Sequence, residues 1–111
     1  MECVFCKIIN KEIPTDFLYE DENFVVFKDI KPDAKFHALI VPKQHIPSLF
    51  EIDDNAAYWG EIFLLAKKIA LENNLGDGFR FVINNRKYAC QVVEHLHCHI
   101  LGGNQLSPHA N

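Results

Sequence analysis

The chain has 111 residues, six histidines, four cysteines and a formal net charge of -4. That length fits one domain spanning residues 1–111 and leaves a core so modest that pairing of two copies would be a natural supplement. The acidic balance excludes electrostatic capture of a long nucleic acid, but a small phosphorylated ligand needs only local donors. No apolar run reaches membrane-spanning length, and Met1-Glu2-Cys3-Val4-Phe5-Cys6-Lys7 lacks the basic flank and apolar stretch of a signal peptide. A cytoplasmic chain with reduced cysteines is the expectation.

Residues 4–10 are apolar on one side and predict a short N-terminal helix. Glu12 to Asp16 reads as a turn around Pro14, and Phe17 to Glu20 as a short strand. A tight turn at Asp21-Glu22-Asn23 leads to a second strand, Phe24 to Phe27. Asp29 to Asp33 is a loop, and Phe36 to Val41 is a third strand that Pro42 should end. Asp53 and Asp54 are candidate N-caps of a long helix. Its apolar stripe is Ala56, Trp59, Ile62, Phe63, Ala66, Ile69 and Ala70, and Asn73, Asn74 and Gly76 supply the stop. Phe79 to Ile83 and Val92 to Leu101 are the fourth and fifth strands, the last closed by Gly102-Gly103. The sum is an α+β domain: a five-stranded antiparallel sheet, one long helix packed against it, and the short N-terminal helix.

The fifth strand carries the densest chemistry. His95-Leu96-His97-Cys98-His99-Ile100-Leu101 alternates strictly, so three histidines share one face while Leu96, Cys98 and Ile100 face a core. Three imidazoles on one face offer a nucleophile, proton carriers or metal ligands near neutral pH. A row of unconnected surface histidines is the bland alternative, and a catalytic zinc on His-x-His is another.

His95-Leu96-His97-Cys98-His99-Ile100-Leu101 resembles the histidine triad pattern, in which three histidines alternate with apolar residues. Further resemblance, to the Hint branch, lies in Phe5-Cys6-Lys7-Ile8-Ile9, Lys11-Glu12-Ile13-Pro14, Phe27-Lys28-Asp29-Ile30, Val41-Pro42-Lys43 and Leu101-Gly102-Gly103. It covers almost the whole chain. It implies a homodimer whose sheets join across the interface. It also implies cleavage of purine nucleoside 5'-phosphoramidates through a nucleotidyl-histidine. By position His97 would be the nucleophile, His99 the proton carrier at the phosphate, and His37 an orienting or relay group. Asp29 would accept from the ribose hydroxyls, Phe27 and Ile30 would line the base pocket, and Asn84 would contact the phosphate. Gln91 and Val92 lie in the loop that wraps the phosphate. Two alternatives remain: a dinucleoside polyphosphate hydrolase of the Fhit branch, and a nucleotide-binding or scaffold protein with weak catalysis.

Departures from the family pattern cluster in that loop. Where the family usually reads Gly-Gln-Ser/Thr-Val, this chain reads Cys90-Gln91-Val92-Val93. Val92 lacks a hydroxyl donor, and Cys90 adds a side chain where backbone should approach phosphate. Arg86 and Lys87 stand in a segment that the family usually makes Gly-rich. Finally, Cys3-x-x-Cys6 has the spacing of half a zinc site, and His45 and His95 are candidates to complete it. Family members with an N-terminal CxxC look similar and bind zinc through this set, which implies a structural ion.

Overall fold

The computed structural model describes residues 3–108. Four runs rich in β-branched and aromatic residues form the strands β1 (Phe17–Glu20), β2 (Phe24–Lys28), β3 (Phe36–Pro42) and β4 (Phe79–Ile83), and the end of the histidine run forms β5 (Cys98–Gly102). They make one antiparallel sheet in the order β1-β2-β3-β5-β4. The last strand thus inserts between β3 and β4, pairing His99 with Leu39 on one side and Val82 on the other.

Alternation gives the sheet two buried faces. Phe24, Val26, Ala38, Ile40, Cys98 and Ile100 face the long helix α2 (Ala56–Glu72), which answers with Trp59, Ile62, Leu65, Ala66, Ile69 and Ala70. Val25, Phe27, Leu39 and Val41 face the other way, against Phe5 and Ile8 of the short helix α1 (Val4–Ile9). His37 and His99 continue this second face. Among the described residues, no helix is long and apolar enough to cross a membrane.

The architecture is the one expected, and the differences are local. The cap of α2 is Asn55, whose side chain accepts from Tyr58 N–H. Asp53 instead accepts from Asn55 N–H and from the Trp59 indole, which starts the helix later than Asp53 or Asp54 would. Phe63 does not join the buried stripe; it is 67% exposed beside Phe81, and Leu65 packs inward instead. The left-handed residue that ends α2 is Asn74, not Gly76, with Leu75 N–H bonded to the Ala70 carbonyl. β3 runs through Pro42, which pairs with Phe24.

The largest correction is β5. It begins at Cys98, not at Val92. Upstream, the backbone groups that a ladder would need go elsewhere. Leu96 N–H bonds the Ile46 carbonyl at 2.7 Å, the Val93 carbonyl takes the Gln91 side chain, and the His95 carbonyl takes His97. The inward and outward alternation survives this loss of ladder, because Leu96 still packs with Cys98 and Ile100 in the α2 core.

Candidate functional site

At the mouth of the second face, His97 and His99 stand with ring centroids 5.0 Å apart, and His99 Nδ1 lies 2.8 Å from His37 Nε2. Each ring's tautomer follows from its partners. The His95 carbonyl can only accept, so His97 Nδ1, 2.7 Å away, carries the hydrogen and its Nε2 keeps a free lone pair. Asp33 N–H can only donate, so His37 Nδ1 accepts it and His37 Nε2 carries the hydrogen. That hydrogen goes to His99 Nδ1, which leaves His99 with a proton on Nε2. The result is a lone pair on one imidazole beside an N–H on the next.

Burial favours the neutral form of His97 and His99. It lowers the proton affinity of His97, opposed by the His95 carbonyl and the Asp29 charge. Burial, then the neighbouring His97 and His37, push His99 down to about 4. Asp29 sits 3.5 Å from His37 Nε2 through Oδ2 and takes Lys31 N–H on Oδ1. Asp29, His37 and His99 are close enough to hold a metal. Because Asp33 N–H occupies His37 Nδ1, however, His37 Nε2 carries the ring hydrogen and offers a metal no lone pair. The trio fits a hydrogen-bonded relay.

A second cluster lies one step up the chain. Cys3 and Cys6 bracket the first turn of α1, where Cys6 N–H donates to Cys3 Sγ. His45 and His95 converge on them, all four ligand atoms lying within 4.8 Å of one another. The separations are 3.4 Å for Cys3–His95, 3.3 Å for Cys6–His45, 3.6 Å for Cys6–His95 and 3.1 Å for His45–His95. A tetrahedral zinc with ordinary Zn–S and Zn–N bonds would set such pairs about 3.3–3.8 Å apart. His95 is 0% exposed, and its Nε2–H bonds the Pro42 carbonyl at 2.7 Å, which turns the Nδ1 lone pair into the cluster. Burial and the adjacent Cys3 raise the Cys6 thiol to about 11, a cost that a bound cation would reverse. The donor set fits zinc. Phe5 meets both His95 and His97 edge-on, so one ring separates the two centres.

The remaining residues expected at a nucleotide are placed unevenly. Asn84 directly follows Ile83, the partner of Cys98, and so stands just past the end of β4. Phe27 is buried in the α1-side core between Phe5 and Phe17, and Ile30 is 92% exposed. Gln91 uses its whole amide inside the protein: Oε1 takes Arg86 N–H, and Nε2 donates to the Pro47 and Val93 carbonyls. Val92 is 89% exposed. Arg86 (φ 67°, ψ -170°) and Cys90 (φ 59°, ψ 42°) both occupy backbone regions that favour glycine, at about 1–3 kcal/mol each. Arg86 turns away from the triad, to the Glu51 carboxylate and the face of Phe50. Sequence reasoning missed this contact, although Ser48-Leu49-Phe50-Glu51 carries the signature of a capping box and Ser48 does cap the turn there. It also missed Asp33, which acts through its backbone and leaves no trace in residue type.

Residues 10–106 match the HIT domain. The chain belongs to the HIT domain family. Protein HitA of Neisseria gonorrhoeae is 45% identical over 101 residues, 90% of this chain and 94% of that one. Among solved structures, a HIT family hydrolase from Clostridium thermocellum superposes with a TM-score of 0.92 at 43% identity, covering 97% of this chain and 96% of that chain. A histidine triad nucleotide-binding protein from Candida albicans superposes at 0.82 with 33% identity, covering 99% and 87%. The five-stranded sheet with two helices is thus the HIT arrangement, and the alternating histidines occupy β5, between β3 and β4, and the approach to it.

Proposed function

We propose that this HIT protein is a nucleotide-binding hydrolase of the Hint branch, cleaving the P–N bond of purine nucleoside 5'-phosphoramidates. The observation that carries the reading is the tautomer pair: a free Nε2 lone pair on His97 next to an Nε2–H on His99. In this reading His97 Nε2 attacks the α-phosphorus and the P–N bond to the amine breaks. His99 Nε2 hands the departing amine a proton, a contribution of roughly 10²–10⁴ in rate. The anionic phosphate favours uptake of a proton from solvent by His99 as the substrate binds, so the ring is left neutral once it has given a proton to the amine. Water then attacks phosphorus and returns a proton to His99. The His97–phosphorus bond breaks, and the nucleotide leaves. His37 holds His99 in register, Asp29 accepts from the ribose hydroxyls, and Asn84 with the Val92 backbone faces the phosphate. The hydrolase and nucleotide-binding names of the two structural relatives agree with this assignment.

Zinc held by Cys3, Cys6, His45 and His95 completes the proposal. It would tie α1 to the end of β3 and the approach to β5, and no step passes through it. So does a homodimer. β4 is an open sheet edge, and Phe63 and Phe79 stand exposed there, so two edges pairing would extend the sheet.

The test is release of amine from a fluorogenic adenosine 5'-phosphoramidate by the purified chain. Turnover is expected; AMP binding with no turnover would favour the second reading, a nucleotide-binding protein with weak catalysis. Val92 is what recommends that reading, since its exposed side chain offers no donor. Val92→Ser should raise kcat by about tenfold, within the range that one transition-state donor supplies. An unchanged kcat would mean that the backbone of this loop already serves.

A further inference from the structure

We infer that Arg86 is a positioning residue, whose latch to Glu51 and Phe50 holds the loop between β4 and His95 in its phosphate-receiving shape. The inference rests on the nucleotide reading above. The loop bends back at Arg86, in a backbone conformation that glycine adopts freely and arginine does not. Such a conformation persists only where the surroundings fix it.

Here they fix it from both ends of the residue. The Arg86 amide donates to Gln91 Oε1 at 2.7 Å, and its carbonyl accepts Gln91 N–H at 3.1 Å. The guanidinium pairs with Glu51 and lies 4.1 Å from the Phe50 ring centroid. Glu51 is itself tethered, because its other oxygen accepts from the buried hydroxyl of Ser48. Two further stitches run alongside: Leu49 N–H to Asn85 Oδ1 at 2.8 Å, and Gln91 Nε2 to the Pro47 carbonyl at 2.6 Å.

The loop is therefore lashed through Asn85, Arg86 and Gln91 to residues 47–51, the segment that follows His45. Glycine at 86 would relieve the backbone and anchor nothing. Arginine keeps a glycine-like bend and spends its side chain on the anchor, and its planar cation can both pair and stack. The ion pair is half exposed, so its worth to global stability is small. Its consequence is geometric: it sets where Gln91 and Val92 present their backbone to the phosphate.

Arg86→Gly and Glu51→Gln separate the anchor from the bend. Both should weaken AMP binding and raise KM about tenfold with kcat little changed, while the melting temperature of Arg86→Gly does not fall. Arg86→Lys should recover part of the affinity, through charge without stacking. Wild-type affinity in both Arg86→Gly and Glu51→Gln would overturn the latch alone. A wild-type chain that binds no AMP would overturn the nucleotide reading and the latch's role with it.

Discussion

His97→Ala is expected to abolish phosphoramidate turnover, by on the order of 10⁴-fold or more, and to leave AMP bound. The nucleophile's contribution is made only in the transition state, because its free Nε2 meets phosphorus only as the bond forms. In the proposed reading, ribose and phosphate contacts come from Asp29, Asn84 and the Val92 backbone, none of which the substitution removes. His37 and His99 keep their own bond, since neither depends on the His97 ring for its tautomer. Binding should therefore change by a few-fold at most. Turnover surviving in His97→Ala, measured against the native chain with one substrate, would mean that water attacks directly.

A strong chelator should lower the melting temperature by ten degrees or more, and Cys6→Ser should do the same. Without an ion, the fold packs two thiols against two imidazoles, with Cys6 held up near 11. Zinc bound by such a set contributes about 10–16 kcal/mol in small zinc-dependent peptides. A domain with its own core needs only part of that. A loss of several kcal/mol still moves a chain of this size by tens of degrees, at about 4–8 °C for each. Well below the transition, turnover should persist within a few-fold, because the two centres share the His95 carbonyl and the Phe5 ring but no ligand atom. Metal analysis that finds no zinc, with a melting curve indifferent to the chelator, would reduce Cys3 and Cys6 to ordinary thiols.

What was legible in the sequence follows from periodicity. Alternation from His95 to Ile100 assigned each side chain to its face, and the assignment holds even where the ladder has not yet begun. The ladder itself was not legible. Whether Leu96 N–H serves a strand or the Ile46 carbonyl depends on a residue fifty positions away. Asp53 and Asp54 are cap-forming types by sequence, but the Trp59 indole claims Asp53 and the cap falls to Asn55, a tertiary choice that residue type does not show. Phe63 has the right spacing for the stripe but lies on the flank facing β4, a distinction that a helical period alone does not make. At the site, residue types named the imidazoles and the thiols. The proton positions came from groups that every residue owns, the Asp33 amide and the carbonyls of Pro42 and His95.

A covalent nucleotide on His97 is the intermediate on which the proposed reaction turns. The native chain should be mixed with excess adenosine 5'-phosphoramidate, quenched within a turnover in alkaline denaturant to protect a phosphorus–imidazole bond, and weighed intact and as peptides. The account predicts an adenylyl adduct confined to the peptide that carries His97 and absent from His97→Ala. Product formed at full rate with no adduct in any quenched sample would contradict it.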